Sequence, residues 1–188
     1  MQDIEPFYNW EKYYEANRDK RSPFYGHEPN LNQYENDIYG YYIHPLWDEI
    51  GSATLYVKVL FADYEKHFVI IELFGEWNDA KHNDIMYFKR RVVDEFVAEG
   101  INQFILIGEN IMDFHGAEDD YYAEWFEDVE DGWIAAVSFR DHVEREWQRF
   151  RLDYYLNFGG TLHLDNWRTL QPQAFYELVK SLMIRRLN

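Results

Sequence analysis

Residues 54–62, TLYVKVLFA, and residues 68–74, FVIIELF, carry the clearest secondary-structure signals in the chain. The first alternates, with Leu55, Val57, Val59 and Phe61 on one side and Thr54, Tyr56 and Lys58 among those opposite. That is the period of two shown by a strand whose faces meet different surroundings. The second is apolar at nearly every position, as expected for a strand covered on both faces. Between them the polar break of Asp63, Tyr64, Glu65 and Lys66 leaves room for a turn, which predicts an antiparallel hairpin.

Downstream the period becomes helical. Asn78 or Asp79 is placed to cap a helix whose apolar stripe is Ile85, Met86, Phe88, Val92, Val93, Phe96 and Val97, and Gly100 is placed to end it. Residues 104–107 predict a buried strand ended by Gly108. Residues 121–129 predict a second helix with Tyr122, Trp125, Phe126 and Val129 inward, and residues 133–139 the next strand. Val143, Trp147, Phe150 and Tyr154 step through a third helix, stopped by Gly159 and Gly160. Residues 161–164 predict a short strand. Thr169 is placed to cap a last helix carrying Phe175, Leu178, Val179, Leu182 and Met183. The order β-β-α-β-α-β-α-β-α is that of an α/β fold. Its expected sheet is mixed, mainly parallel and five-stranded, with the first strand added antiparallel and helices packed on it.

Upstream, residues 1–52 hold twelve aromatic residues, eight of them tyrosines, with Pro23, Pro29, Pro45 and Gly26, Gly40, Gly51 between. Trp10, Tyr13 and Tyr14 fall at helical spacing and predict a short helix over residues 10–16. A ring buries about 150–250 Å². So ring-rich a segment is expected as an N-terminal arm packed on a domain formed by residues 53–188. Tyr39, Tyr41, Tyr42 and Trp47 are also candidates for a homo-oligomer contact, where aromatics are enriched.

Composition narrows the function. The 188 residues suit one domain with an extension. Asp and Glu number 35 against 18 Lys and Arg, a formal net charge of −17, which argues against nucleic acid and anionic membranes as partners. The longest apolar run, residues 133–137, is far short of the ~20 residues a spanning helix needs. The first five residues have neither the basic nor the apolar region of a signal peptide. There is no cysteine, which excludes disulfides, thiolate metal sites and thiol nucleophiles, and the expected location is the cytoplasm.

The element order, with residues 68–74 ending at Gly75, resembles the STAS fold of anti-sigma-factor antagonists, in particular the SpoIIAA-like group. Ile111-Met112-Asp113-Phe114-His115-Gly116 is similar to the loop leading into that fold's second helix. Gly132-Trp133-Ile134-Ala135-Ala136-Val137 is similar to its fourth strand. The resemblance covers about residues 54–188 and implies a small cytoplasmic module that binds rather than catalyses. In that group a phosphorylatable Ser or Thr stands between an Asp and a Gly. Here the frame from Asp113 to Gly116 holds Phe114 and His115, so a serine-phosphorylation switch is not expected.

Two candidate sites follow. The first is the polar rim expected at the carboxyl ends of the strands, where ligands of open α/β sheets gather. Asp113, His115 and His142 there offer an imidazole–carboxylate pairing that would suit a small-molecule or apolar-ligand binder, or a hydrolase. Neither a Gly-x-Ser-x-Gly elbow nor a glycine-rich phosphate cradle accompanies it, so no cofactor is expected. His115 with Asp113, Glu118 and Asp119, and His142 with Glu146, lack the regular spacings of zinc sites, and no metal is expected. The second candidate is acidic. Residues 113–131 carry nine carboxylates and no Lys or Arg. Glu127, Asp128 and Glu130 at its helical end make a docking face for a basic protein partner, and Arg140, Arg145, Arg149 and Arg151 are candidate cations within the chain. The reading that results is a non-enzymatic regulatory or protein-interaction module acting through an acidic helix surface.

Overall fold

A computed structural model describes residues 2–34 and 36–188. The main sheet has five strands in the order β4-β5-β6-β7-β8. These are β4 Asp48–Glu49, β5 Leu55–Asp63, β6 Phe68–Asn78, β7 Gln103–His115 and β8 Trp133–Val137. β4 and β5, and β5 and β6, pair antiparallel, whereas β6–β7 and β7–β8 are parallel. The hairpin expected at residues 54–74 is therefore present, and the sheet is mixed. A second, three-stranded sheet is built from β1 Gln2–Ile4, β2 Asp37–Ile38 and β3 Tyr41–Ile43.

Period two sorts the strands onto two cores. Val57, Val69, Ile71, Phe104, Leu106 and Ile134 face one side. There they meet α2 Asp84–Phe88, α3 Asp94–Ala98, α4 Asp120–Asp128 and α5 Asp141–Arg149 through Ile85, Phe88, Phe96, Trp125 and Trp147, α2 being preceded by the one-turn α1 Asp79–His82. Phe68, Ile70, Ile105, Ile107 and Val137 face the other side, covered by α6 Pro172–Leu187 and by Trp10 and Trp167. Trp10 packs edge-on to Trp167 at 5.7 Å and donates its Nε1–H to the Leu170 carbonyl at 2.9 Å. A smaller cluster joins Ile38, Ile43 and Trp47 to Tyr56 and Phe74, with Trp47 stacked on Phe74 at 5.3 Å.

Several local expectations are corrected. Residues 161–164 are not a strand, because Gly160–Leu162 form a 3-10 turn. The remaining strand of the five is β4, in the segment assigned to the arm. Its two residues are too short to give a periodic signal. A register shift between Val59 and Phe61 reverses the phase of β5, so Phe61 leaves the face of Val57 and packs with the second core. Residues 10–16 make turns rather than a helix. The third helix ends at Arg149, with Arg151 in the left-handed region at φ 58°, well before Gly159. Thr169 caps nothing; its hydroxyl donates to the Asn166 carbonyl, and α6 begins at Pro172 with Gln171 as the N-cap residue. The first helix starts as expected, the Asn78 side chain accepting from the Lys81 amide, but a π-helical turn, Lys89–Val93, interrupts it. Among the described residues no helix is long and apolar enough to cross a membrane.

Candidate functional site

The parallel register of β6 and β7 sets Glu76 beside Asp113 and Asn78 beside His115. This brings together the strand-end residues Asp113, His115 and, from the first turn of α5, His142. The contacts are loose. His115 Nε2 lies 3.5 Å from Asp113 Oδ2 and 3.6 Å from Glu76 Oε1, with its side chain 47% exposed. His142 Nε2 is 3.9 Å from Asp113 Oδ1 and 2.7 Å from the Met112 carbonyl, to which it donates. A ring nitrogen committed to a backbone carbonyl cannot also take a proton from a substrate. The best-held group is Glu76, which the β6–β7 register sets at the same strand end. Burial raises the Glu76 carboxyl, but hydrogen bonds from Tyr39 and Asn78 and the nearby His115 outweigh it and bring the group below the usual range. The same bond to Glu76 pushes the Tyr39 hydroxyl up to about 12. The rim is thus an electrostatic clasp between β2–β3 and the strand ends. A general base needs hydrogen-bond reach to its orienter, which His115 lacks here.

The acidic candidates separate into two sets. Lys89, fully buried, reaches from the π-helical turn to Asp94, to Asp128 at 2.7 Å and to Glu124 at 3.3 Å. Burial alone would lower its pKa, but the bonds to Asp128 and Asp94 win and raise it. Arg90 holds Glu124 through both guanidinium nitrogens, at 2.5 and 2.9 Å, and Asp94 at 2.8 Å. These contacts hold the Asp94 and Glu124 carboxyls below their ordinary values. The cations that answer α4 are therefore Lys89 and Arg90, not the arginines in and beside α5: Arg140, just before that helix, donates to the Glu109 carbonyl, and Arg149 pairs with Glu146. The signal was present in sequence as a Lys inside an apolar stripe, a position that demands a carboxylate partner.

Asp128 is thus structural, whereas Glu127, Glu130 and Asp131 make no ion pair among the described residues. They border a groove of about 480 Å³ whose apolar lining is Phe126, Val129, Trp133, Ile134, Tyr155 and Leu187. Phe126 is 46% exposed and Leu187 62%. As for metal ligands, the side chains that converge are Asp141, Glu144 and His163, and Asp3, Glu5 and His44, each set within 4.8 Å. Neither is a spacing that the sequence singled out. Asp94, Glu124 and Asp128 also converge, but on the Lys89 ammonium.

No family profile and no curated protein matches the chain. Among solved structures it is similar to a candidate anti-sigma factor antagonist of Thermotoga maritima. That match has 21% identity and a TM-score of 0.42, and covers 65% of this chain and 92% of the other. It is similar also to the anti-sigma factor antagonist SpoIIAA in its unphosphorylated form, at 12% identity and a TM-score of 0.42, over 56% of this chain and 89% of the other. The phosphorylated form of the Bacillus cell fate determinant SpoIIAA matches at 11% identity and a TM-score of 0.37, over 56% of this chain and 92% of the other.

Proposed function

We propose that the chain is a protein-interaction module that takes a basic, amphipathic segment into the groove between the end of α4, the start of β8 and the C-terminus of α6. The observation that carries this reading is the pairing of exposed Phe126 and Leu187 with three carboxylates, Glu127, Glu130 and Asp131, that have no cation of their own among the described residues. Exposed rings beside unpaired charge of one sign suit a partner with apolar anchors and flanking Lys or Arg. Asp128 belongs to the support of this surface, since its carboxylate is spent on Lys89.

The test is fluorescence anisotropy with two labelled helical peptides, one of Leu and Lys in amphipathic order and one with every Lys replaced by Glu. The Lys peptide should bind, more weakly as salt rises, and the Glu peptide should not. Glu127→Lys with Glu130→Lys, leaving Asp128 intact, should weaken binding by at least about tenfold, or roughly 1.4 kcal/mol. Equal binding by the double variant, or equal binding of both peptides, would remove the proposal.

A further inference from the structure

A second feature, independent of the groove, lies where the first turn of α5 meets the chain after the Gly160–Leu162 turn. Asp141 and Glu144 stand three positions apart on one helical face, and His163 comes from the turn. Each offers one ligand atom, and the three atoms lie within 4.8 Å of one another. His163 Nε2 is 3.1 Å from Glu144 Oε2. Two atoms each about 2.1 Å from one ion, at the tetrahedral angle, are about 3.4 Å apart, so this pair is already close to coordination spacing. Asp141 is exposed and makes no ion pair among the described residues, so a change of rotamer brings its carboxylate in.

Two other sets of three bring such atoms as close together, and each is closed to an ion by its own hydrogen bonds. The Lys89 ammonium fills the centre of Asp94, Glu124 and Asp128. In the set of Asp3, Glu5 and His44, the His44 Nδ1 accepts the Leu46 amide at 3.1 Å. The neutral ring then carries its proton on Nε2, the nitrogen facing Glu5 at 3.6 Å, and has no lone pair there for a metal. Among the described residues no backbone amide fixes the His163 ring in this way.

Glu144 points independently to a cation. Its side chain is only 12% exposed, and its Oε1 is buried with no hydrogen-bond partner among the described residues. The carboxylate is therefore answered at Oε2 alone, by an imidazole, although a buried carboxylate calls for full pairing. The nearby arginines do not supply it. Arg140 donates to the Glu109 carbonyl, and Arg186 to the carbonyls of Phe158 and Gly159. Oε2 is also the oxygen beside a glycine: a Cβ on Gly159 would stand 3.2 Å from it.

We propose that Asp141, Glu144 and His163 bind one divalent transition-metal ion of the zinc class, with Oε2 and Nε2 as the ligand atoms of Glu144 and His163. Two carboxylates balance the charge of the ion. The imidazole favours Zn²⁺ over Mg²⁺ and Ca²⁺, which take oxygen ligands. On binding, the ring holds its proton on Nδ1 and turns the Nε2 lone pair to the metal. The ion ties the first turn of α5 to the chain after Leu162, and three protein ligands leave one position for water.

The experiment titrates the full chain, first stripped with a chelator, with Zn²⁺, Mg²⁺ and Ca²⁺ in a calorimeter. Zn²⁺ should bind as one equivalent, at least about a hundredfold more tightly than the other two. His163→Ala and Glu144→Gln should each weaken it at least about tenfold, whereas His44→Ala should leave it unchanged. In the unaltered chain, long-range proton–nitrogen spectra should show the His163 Nε2 resonance moving with Zn²⁺ and that of His44 staying. Mg²⁺ or Ca²⁺ binding as tightly as Zn²⁺, Zn²⁺ failing to bind at millimolar concentration, His163→Ala keeping the parent affinity, or the shift falling on another histidine would each overturn the assignment. The spectra need no variant, so a fold lost in Glu144→Gln would not rescue it.

Discussion

Glu72 is the residue least expected from its surroundings, a carboxylate 1% exposed in the middle of β6. Its Oε2 accepts the Phe7 amide of the arm at 2.8 Å and its Oε1 the Asn110 side chain at 3.4 Å. Burial outweighs the Phe7 bond and raises its pKa from 4.5 to about 7. A folded-state value above the unfolded one favours the folded protein at low pH. Its contribution is complete below about pH 4.5 and is lost as pH rises to about 7, a span worth roughly 3 kcal/mol. Asp79, hydrogen-bonded by Trp77, Tyr122 and Ile85, is likewise raised by burial, from 3.8 to about 6, and acts in the same direction. Glu72→Gln should therefore gain stability relative to the parent at pH 8 but not at pH 4, while keeping the slope due to Asp79. Urea midpoints of the two proteins at both values measure it, and parallel pH profiles would refute it. Residues 68–74 read as apolar at nearly every position, and spacing along the chain assigns no role to the one carboxylate among them. Its meaning depends on Phe7, 65 positions away.

Elements were legible where packing and period agree. The stripe from Ile85 to Val97 and the cap at Asn78 were read from spacing because each side chain there meets the core directly. The π-helical turn within it, Lys89–Val93, was not, since no spacing of apolar residues marks it. β8 shows the converse. Gly132, just before it, lies so close to the connection between α3 and β7 that an added Cβ would stand 1.8 Å from the Asn102 carbonyl oxygen. Backbone offers no rotamer escape from such a clash. Gly132→Ala is expected to cost about 2–4 kcal/mol, against less than about 1.5 kcal/mol for the volume-matched Ile134→Leu within the same strand. Thermal unfolding of both variants decides it; a Gly132→Ala protein as stable as the parent would show that the strand can shift.

The whole molecule is held together across its faces by the arm. Trp10 fills the second core with Trp167 and Phe175, and its rings lie more than 150 positions apart in the chain. Trp10→Ala should destabilise the entire protein by about 3–5 kcal/mol in a single cooperative transition. A two-step unfolding curve, or a loss under about 1 kcal/mol, would mean that the arm is an independent appendage. The strand-end rim depends on the same assembly, since Tyr39 reaches Glu76 from the arm.

The alternating α/β class, the 54–74 hairpin and the anionic end of α4 could all be read along the chain. Period, caps and charge are local quantities, set by neighbours a few residues apart. Packing between elements settled that β4 completes the sheet, that Asp128 serves Lys89 while Glu127 and Glu130 have no ion pair among the described residues, and that His115 stays outside hydrogen-bond reach of Asp113. Each of those outcomes rests on distances between side chains from separate elements, and such distances are fixed by packing that no spacing along the chain records.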